Sequence, residues 1–387
     1  MALRLRFALS VTHRHDGRHY MTHRERVLAA LSREETDRPP MDLGGTRDSS
    51  IVLEGYDRLK AHLGVETENR LCDRMMRVVH VDEEVSQKLD LDFRSVFPGA
   101  ATRGCAEELG PDTFRDVWGV ERVHPLGSYY YDQVSFPLSG EITTSEILNY
   151  PWPDPDDPGY TAPLRERVNW IRTQTDCAAI LTVPAPFVHI SQYLRGFEDW
   201  YVDMALEPKR LEMLFDAVQD ITSQIARREL EAVGSDVDIV ICADDLGAQN
   251  ALQFSREAYL KYIKPRHKKY FKLIHEMSPA KLLFHTCGSV VSIIDDLIEI
   301  GVDILNPVQV AAEGMDPKTL KERFGEKLCF WGAVDTQHLL PHGTPEEVKA
   351  TVEKLTAELG AGGGYVISAV HNIQPDVPVE NILAMLG

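Results

Sequence analysis

His285 and Cys287 stand two residues apart in the run KLLFHTCG, residues 281–288. Side chains two apart on a strand point to the same face, so an imidazole and a thiol emerge together with Thr286 turned away. Both are soft donors, and zinc takes imidazole nitrogen and thiolate sulfur at about 2.0–2.3 Å. By itself the pair reads more readily as a packed histidine beside an inert thiol. A third donor, His371, in SAVHNIQPDVPVEN near the end of the chain, changes that reading. Two histidines and one cysteinate leave a fourth position open, which is the pattern of catalytic rather than closed structural zinc sites. An open position suits a reaction in which a substrate thiol must be ionised near neutral pH.

Other chemistry-bearing residues sit at the ends of apolar runs. Asp244 and Asp245 close VDIVICADDLG, Gln309 follows DILNPVQ, Asp335 ends LCFWGAVD, and His189 lies in PAPFVHI. Paired carboxylates at such a place can orient a histidine, raise one another's pKa or act as a base. Helix capping is the plainer role for Asp244, and a packed loop position the plainer one for His189. Asp245 and Asp335 each occupy a turn with a nearby glycine, which favours them as catalytic groups.

Eight apolar segments are expected to carry these residues: 38–44, 92–98, 179–186, 237–247, 281–288, 303–309, 328–335 and 364–372. From the third onward, helical periodicity fills the gaps, at 190–233 in two pieces, 255–277, 289–300, 316–323 and 345–359. Thr22-x-x-Glu25 is a capping box, Ser255 an N-cap, and Thr344-Pro345 an N-cap followed by proline at the first helical position. Continuous apolar strands alternating with helices imply a parallel sheet covered on both sides. Eight such units predict an α/β fold of the (β/α)8 TIM-barrel type, with its active site where the strands end. Residues 99–160 break the repeat. Their alternating TFRDVWGVERV, the Tyr129–Tyr131 cluster and the proline-rich YPWPDPDDPGY read as a β-rich excursion between strands two and three that covers the mouth.

With 387 residues, 43% of them hydrophobic, the chain can bury a large core as a single domain over 21–387. The net charge of −19 argues against nucleic acid or an anionic membrane as partner. No apolar run approaches the ~18 residues of a membrane span. Six cysteines without a framework pattern read as reduced thiols of a cytoplasmic protein. Residues 1–20, with four arginines against one aspartate, read as a flexible extension or as residues ahead of a start at Met21; a transit peptide is a third reading.

The motifs MTHRERVLAALSREETDRPP, the Asp-rich end of segment four, FHTCG, NPVQ, WGAVD and HNIQPDVPVEN resemble the uroporphyrinogen decarboxylase superfamily from about Met21 onward. Within it, the chain resembles the cobalamin-dependent branch that includes methylcobamide:coenzyme M methyltransferases. That branch implies zinc held by a His-x-Cys pair, matched by His285 and Cys287, and by a later Cys, whose column here holds His371, as in the decarboxylases. The decarboxylases also imply an arginine-rich segment after strand one, where this chain has MDLGGTRDSSIVLEGY with Arg47 alone. One guanidinium is too few for a substrate with four acetates. The resemblance therefore implies a zinc-dependent methyltransferase acting between a methylated corrinoid (a methylcobamide carried by a separate corrinoid protein) and a small-molecule methyl acceptor. Asp245 and Asp335 are expected to be catalytic, and Asp244, Gln309, His189 and Arg47 to contact substrate. Exchange of thiolate for imidazole removes one negative charge from the metal, which points away from coenzyme M as the acceptor. A homodimer is expected by analogy. The alternatives are a metal-independent decarboxylase or other lyase using Asp245 or a nearby acid as proton donor, and a corrinoid- or tetrapyrrole-binding protein without turnover.

Overall fold

The computed structural model describes residues 20–104 and 106–387, so the expected extension, Tyr20 excepted, lies outside the described residues. The strands in chain order are β1 (Leu71–Asp73), β2 (Val78–Val79), β3 (Phe93–Val96), β4 (Glu107–Gly110), β5 (Thr113–Arg115), β6 (Glu121–Val123), β7 (Asp132–Ser135), β8 (Ala178–Thr182), β9 (Ile239–Ala243), β10 (Lys281–His285), β11 (Ile304–Asn306), β12 (Cys329–Val334) and β13 (Tyr365–Ala369). Seven of them form one parallel sheet in the order β13-β12-β11-β10-β9-β8-β3, so neighbours in sequence are neighbours in space. The fold is mixed α/β and TIM-barrel-like.

Strand alternation explains the packing. Phe93, Ala178, Ile180, Ile239, Ile241, Leu283, Ile304, Cys329, Trp331 and Val366 form one inner cluster, joined by Val27 and Leu31 of the helix His23–Leu31. The intervening residues, such as Leu181, Val240, Phe284 and Phe330, pack outward into a larger core against the helices. Burial on both faces accounts for the lack of polar alternation along these strands. Helix Pro208–Val233 meets this outer core through Leu211, Leu214, Phe215, Val218, Thr222, Ile225, Ala226 and Leu230, one stripe at steps of three and four. The expected capping boxes at Thr22 and Thr344 and the N-cap at Ser255 are present.

Three expectations are corrected. Segment 38–44 forms only an isolated bridge, Met41 with Ile367. Pro39 and Pro40 have no N–H to donate, and Gly44 turns the chain at φ +80, where a Cβ would lie 2.3 Å from the Val81 side chain. Met41 still links the two edges of the sheet: Ile367 N–H donates to the Pro40 carbonyl at 2.8 Å and Asp92 N–H to the Met41 carbonyl at 3.1 Å. The stretch 190–233 is three helices, Val188–Arg195, Phe197–Leu206 and Pro208–Val233, broken at Gly196 (φ +81) and restarted at Pro208. The helix expected at 255–277 contains a π-helical turn at Tyr259–Ile263, just before Pro265. The proline ring would clash with the carbonyl four residues earlier, and the widened turn relieves that contact.

Between β3 and β8 in the chain, β4–β7 form a separate four-stranded antiparallel sheet. Its β5 and β6 come from the alternating TFRDVWGVERV stretch. Among the described residues no helix is long and apolar enough to cross a membrane, and Cys72, Cys177, Cys242, Cys287 and Cys329 are free thiols.

Candidate metal centre

His285 is the last residue of β10, 3% exposed, and Cys287 follows two positions on. Cys287 Sγ lies 3.5 Å from His285 Nε2. The ring of His371, just past β13, stands 5.5 Å from that of His285 at 63°. One donor atom from each of the three residues can be chosen so that all lie within 4.8 Å of one another. A tetrahedral ion at ~2.0–2.3 Å from each ligand sets donors about 3.3–3.8 Å apart, so the set closes on zinc with a shift of about 1 Å or less.

The tautomer of His285 is fixed by its neighbours. Asn306, at the end of β11, directs its amide nitrogen to the Trp331 carbonyl at 3.5 Å, which leaves Oδ1 facing His285 Nδ1 at 2.5 Å. In its neutral form the ring therefore carries its proton on Nδ1 and leaves Nε2 facing Cys287. Asp48 Oδ2 lies 3.8 Å from the same Nδ1. Burial, then the charges of Asp245 and Asp48, push the Cys287 thiol well above its ordinary range. Burial, then His285, lower His371. Two imidazoles and a thiol, brought together in a buried setting, are a donor set that fits a metal.

Asp245, two residues past β9, braces this group. Its Oδ1 accepts the Cys287 N–H at 2.7 Å, and its Oδ2 lies 3.3 Å from His189 Nε2. Burial opposes ionisation of Asp245, but His189, His285 and the Cys287 N–H together hold it well below the usual carboxylate range. Burial lowers His189, and the Asp245 carboxylate outweighs it, carrying the imidazole up to about 9. Tyr193 stacks on His189 at 5.7 Å and 12°, and the Arg122 guanidinium lies 4.9 Å over Tyr193.

The remaining expected residues are placed differently. Asp244 is 0% exposed; its carboxylate accepts from the N–H groups of Phe187, Val188 and His189, at 2.9–3.1 Å, and meets His267 Nε2 at 3.0 Å. It caps the helix that carries His189 and sits beneath the site rather than in it. Gln309 accepts from Gly288 N–H at 2.7 Å and so braces the turn after Cys287. Asp335 is half-buried and accepts from Gln337 N–H at 2.7 Å; among the described residues no hydrogen bond or ion pair joins it to the three donors. Arg47 pairs with Asp73 at 3.2 Å, and its carbonyl accepts from the Asn372 side chain.

Sequence reasoning missed Asp48, Asn306, Asn372, Tyr130 and Gln374. Tyr130, from the chain between β6 and β7, donates to Asn372 Oδ1 at 3.1 Å and accepts from Gln374 Nε2 at 2.6 Å. It thereby ties the antiparallel segment to the turn that carries His371. The NPVQ and HNIQP motifs held the signal for three of these residues, whose polar side chains stand beside the donors.

A family model described as Uroporphyrinogen decarboxylase (URO-D) matches residues 137–387. The chain belongs to the uroporphyrinogen decarboxylase family. Its relatives include a uroporphyrinogen decarboxylase of Mannheimia succiniciproducens, 26% identical over 374 residues, covering 92% of this chain and 94% of the relative. A methylated-thiol–coenzyme M methyltransferase of Methanosarcina mazei is 22% identical over 293 residues, covering 70% and 72%. Among solved structures, a methyltransferase from Methanosarcina mazei superposes with a TM-score of 0.63 at 19% identity, covering 94% of this chain and 97% of that one. Uroporphyrinogen decarboxylase family members thus include both decarboxylases and methyltransferases, and the fold is common to this chain and the methyltransferase.

Proposed function

We propose that this chain is a zinc-dependent methyltransferase that moves a methyl group between a corrinoid, carried on a separate protein, and a thiol or other small acceptor. The observation that carries the reading is the convergence of His285, Cys287 and His371. These three would hold the ion and leave one position for the acceptor. A zinc ion bound there supplies a low pKa to a coordinated thiol, so that the acceptor is a thiolate at neutral pH. The chain's own residues do the rest. Asn306 fixes the His285 tautomer, Asp245 fixes the Cys287 backbone, and Gln309 holds the following turn. The corrinoid protein would dock over the antiparallel segment, whose Tyr130 already reaches the His371 turn.

The lyase reading needs a proton donor at neutral pH. Asp245 is a poor one, since His189 and the Cys287 N–H stabilise its ionised form. Arg47, already paired with Asp73, is also a poor receptor for a polycarboxylate.

The test is zinc analysis of protein purified without a metal-binding tag, combined with the absorbance of methylcobalamin on mixing with a thiol. Zinc near one per chain, and demethylation lost in His285→Ala and Cys287→Ser, support the reading. Metal-free protein whose activity survives His285→Ala overturns it.

A further inference from the structure

A cavity of about 620 Å³ lies beside β3, walled by the segment 80–83, by Ser95–Gly99 and by the helix Leu164–Gln174. It is within the ~300–1,000 Å³ range of small-molecule sites. It shares no residue with the metal centre or with the groups that brace it.

Its walls are flat and its free charges basic. His80, Phe97, Pro98 and Trp170 line it, with His80 and Phe97 edge to face at 5.2 Å. Arg167 donates through Nε to the Ser95 carbonyl at 2.9 Å and lies 4.8 Å over the Trp170 ring. Among the described residues, its Nη groups and the side chain of Arg70 make no hydrogen bond or ion pair. The lining acids are largely occupied. Glu83 gives both oxygens to Arg94 at 2.7 and 2.9 Å, and Asp82 accepts from Tyr56 at 2.7 Å with Lys60 at 3.9 Å. Glu166 alone remains, exposed in the first turn of that helix. Burial, then Arg70 and Arg167, depress His80 to about 4, so it is neutral in the physiological range and adds an acceptor or a weak donor. A strongly acidic protein thus keeps the Arg70 guanidinium and the Nη groups of Arg167 without an anionic partner at one aromatic-walled cavity. Guanidinium forks match carboxylates in geometry, and aromatic walls take a flat ring.

We propose that this cavity is a second binding site, for a small planar molecule bearing a carboxylate, with Arg70 and Arg167 receiving the anion and Trp170 and Phe97 the ring. The probe is 2-naphthoate, titrated into the whole protein by calorimetry, with uncharged 2-naphthamide as control. Naphthoate should bind at one site per chain, and the amide roughly ten-fold or more weaker. Arg70→Gln, at an exposed position, should fold normally and weaken naphthoate about ten-fold, and Arg167→Gln at least as much. Cys287→Ser should bind naphthoate as the parent does, which separates this site from the metal centre. Equal affinity for acid and amide, unchanged affinity in a folded Arg70→Gln variant, or loss of binding in Cys287→Ser would each overturn the proposal.

Discussion

The backbone N–H of Cys287 donates to Asp245 at 2.7 Å, so a carboxylate just past β9 sets the position of a thiol on the loop after β10. The other oxygen of that carboxylate faces His189 at 3.3 Å. One acidic side chain therefore links two strand ends and a helix.

Asp245→Asn keeps the shape of this link and removes its charge. Burial pulls His189 down, and the Asp245 carboxylate, helped by Asp244 and Asp48, lifts it to about 9. In the variant, His189 should titrate at a lower pH than in the parent, with Asp244 and Asp48 still raising it. Imidazole nitrogen shifts in a pH-titrated NMR spectrum read this directly. A His189 that stays protonated at pH 8 in the variant would show that another group holds the charge.

Asn306 bears on metal affinity without being a ligand. Its Oδ1, 2.5 Å from His285 Nδ1, holds the ring so that Nε2 faces Cys287. On the zinc reading, Asn306→Ala should weaken zinc by roughly 10–100-fold, the usual effect of removing a partner behind a ligating histidine. Asn306→Asp should retain more affinity than Asn306→Ala, because a carboxylate also accepts from Nδ1–H. Competition with a chromophoric chelator measures both.

What the sequence made legible follows from the range of the signal. His285 and Cys287 were readable because a period of two puts both on one face of β10, and His371 because it follows another apolar run. The seven strands of the sheet were readable as apolar runs. Asp48 was not, since it lies in an irregular loop whose approach to His285 depends on how the chain leaves Met41. Asp244 and Asp245 are adjacent in sequence yet face opposite ways, one into a helix N-terminus and one toward Cys287. Alternation predicts that divergence, but not which residue meets the site. The missing first strand had a local cause in Pro39 and Pro40, and the seven-residue apolar segment hid it.

At the other end of the molecule, His23 bridges Asp176 (Nδ1, 2.7 Å) and Asp90 (Nε2, 2.9 Å). The hydrogen bond to Asp176 raises the imidazole above its ordinary value, against burial and with help from Asp90. Its stabilisation is complete below the unfolded pKa of ~6.5 and fades as pH rises through the folded value. Asp90 and Asp176 are lowered, so their share is present above ~4 and fades as pH falls. The stability lost in His23→Gln should therefore be greatest at about pH 5–6 and smaller at pH 8.5 or above. These partners are substantially exposed, so the loss should stay near ~1 kcal/mol. Urea midpoints at the two pH values test the sign.

Asp92 should be far less tolerant. It is 0% exposed, receives Arg26 and Arg38 at 2.6 Å each, and accepts the Met41 N–H at 2.7 Å. Removing one member of a buried, hydrogen-bonded charge group leaves the others desolvated and unpaired, at a cost of about 3–5 kcal/mol. Asp92→Ala should lose stability on that scale. The loss has a particular structural address, because Met41 bridges Ile367 of β13 while its carbonyl accepts from Asp92, next to β3. Loosening Met41 frees the segment that continues to Asp48 beside His285. Hydrogen exchange in Asp92→Asn, which keeps the volume and one acceptor, should accordingly rise first at Met41–Ser50 and at Ile367, ahead of β9 and β10. Uniform exchange across the sheet would mean that Asp92 supports the whole fold rather than this closure.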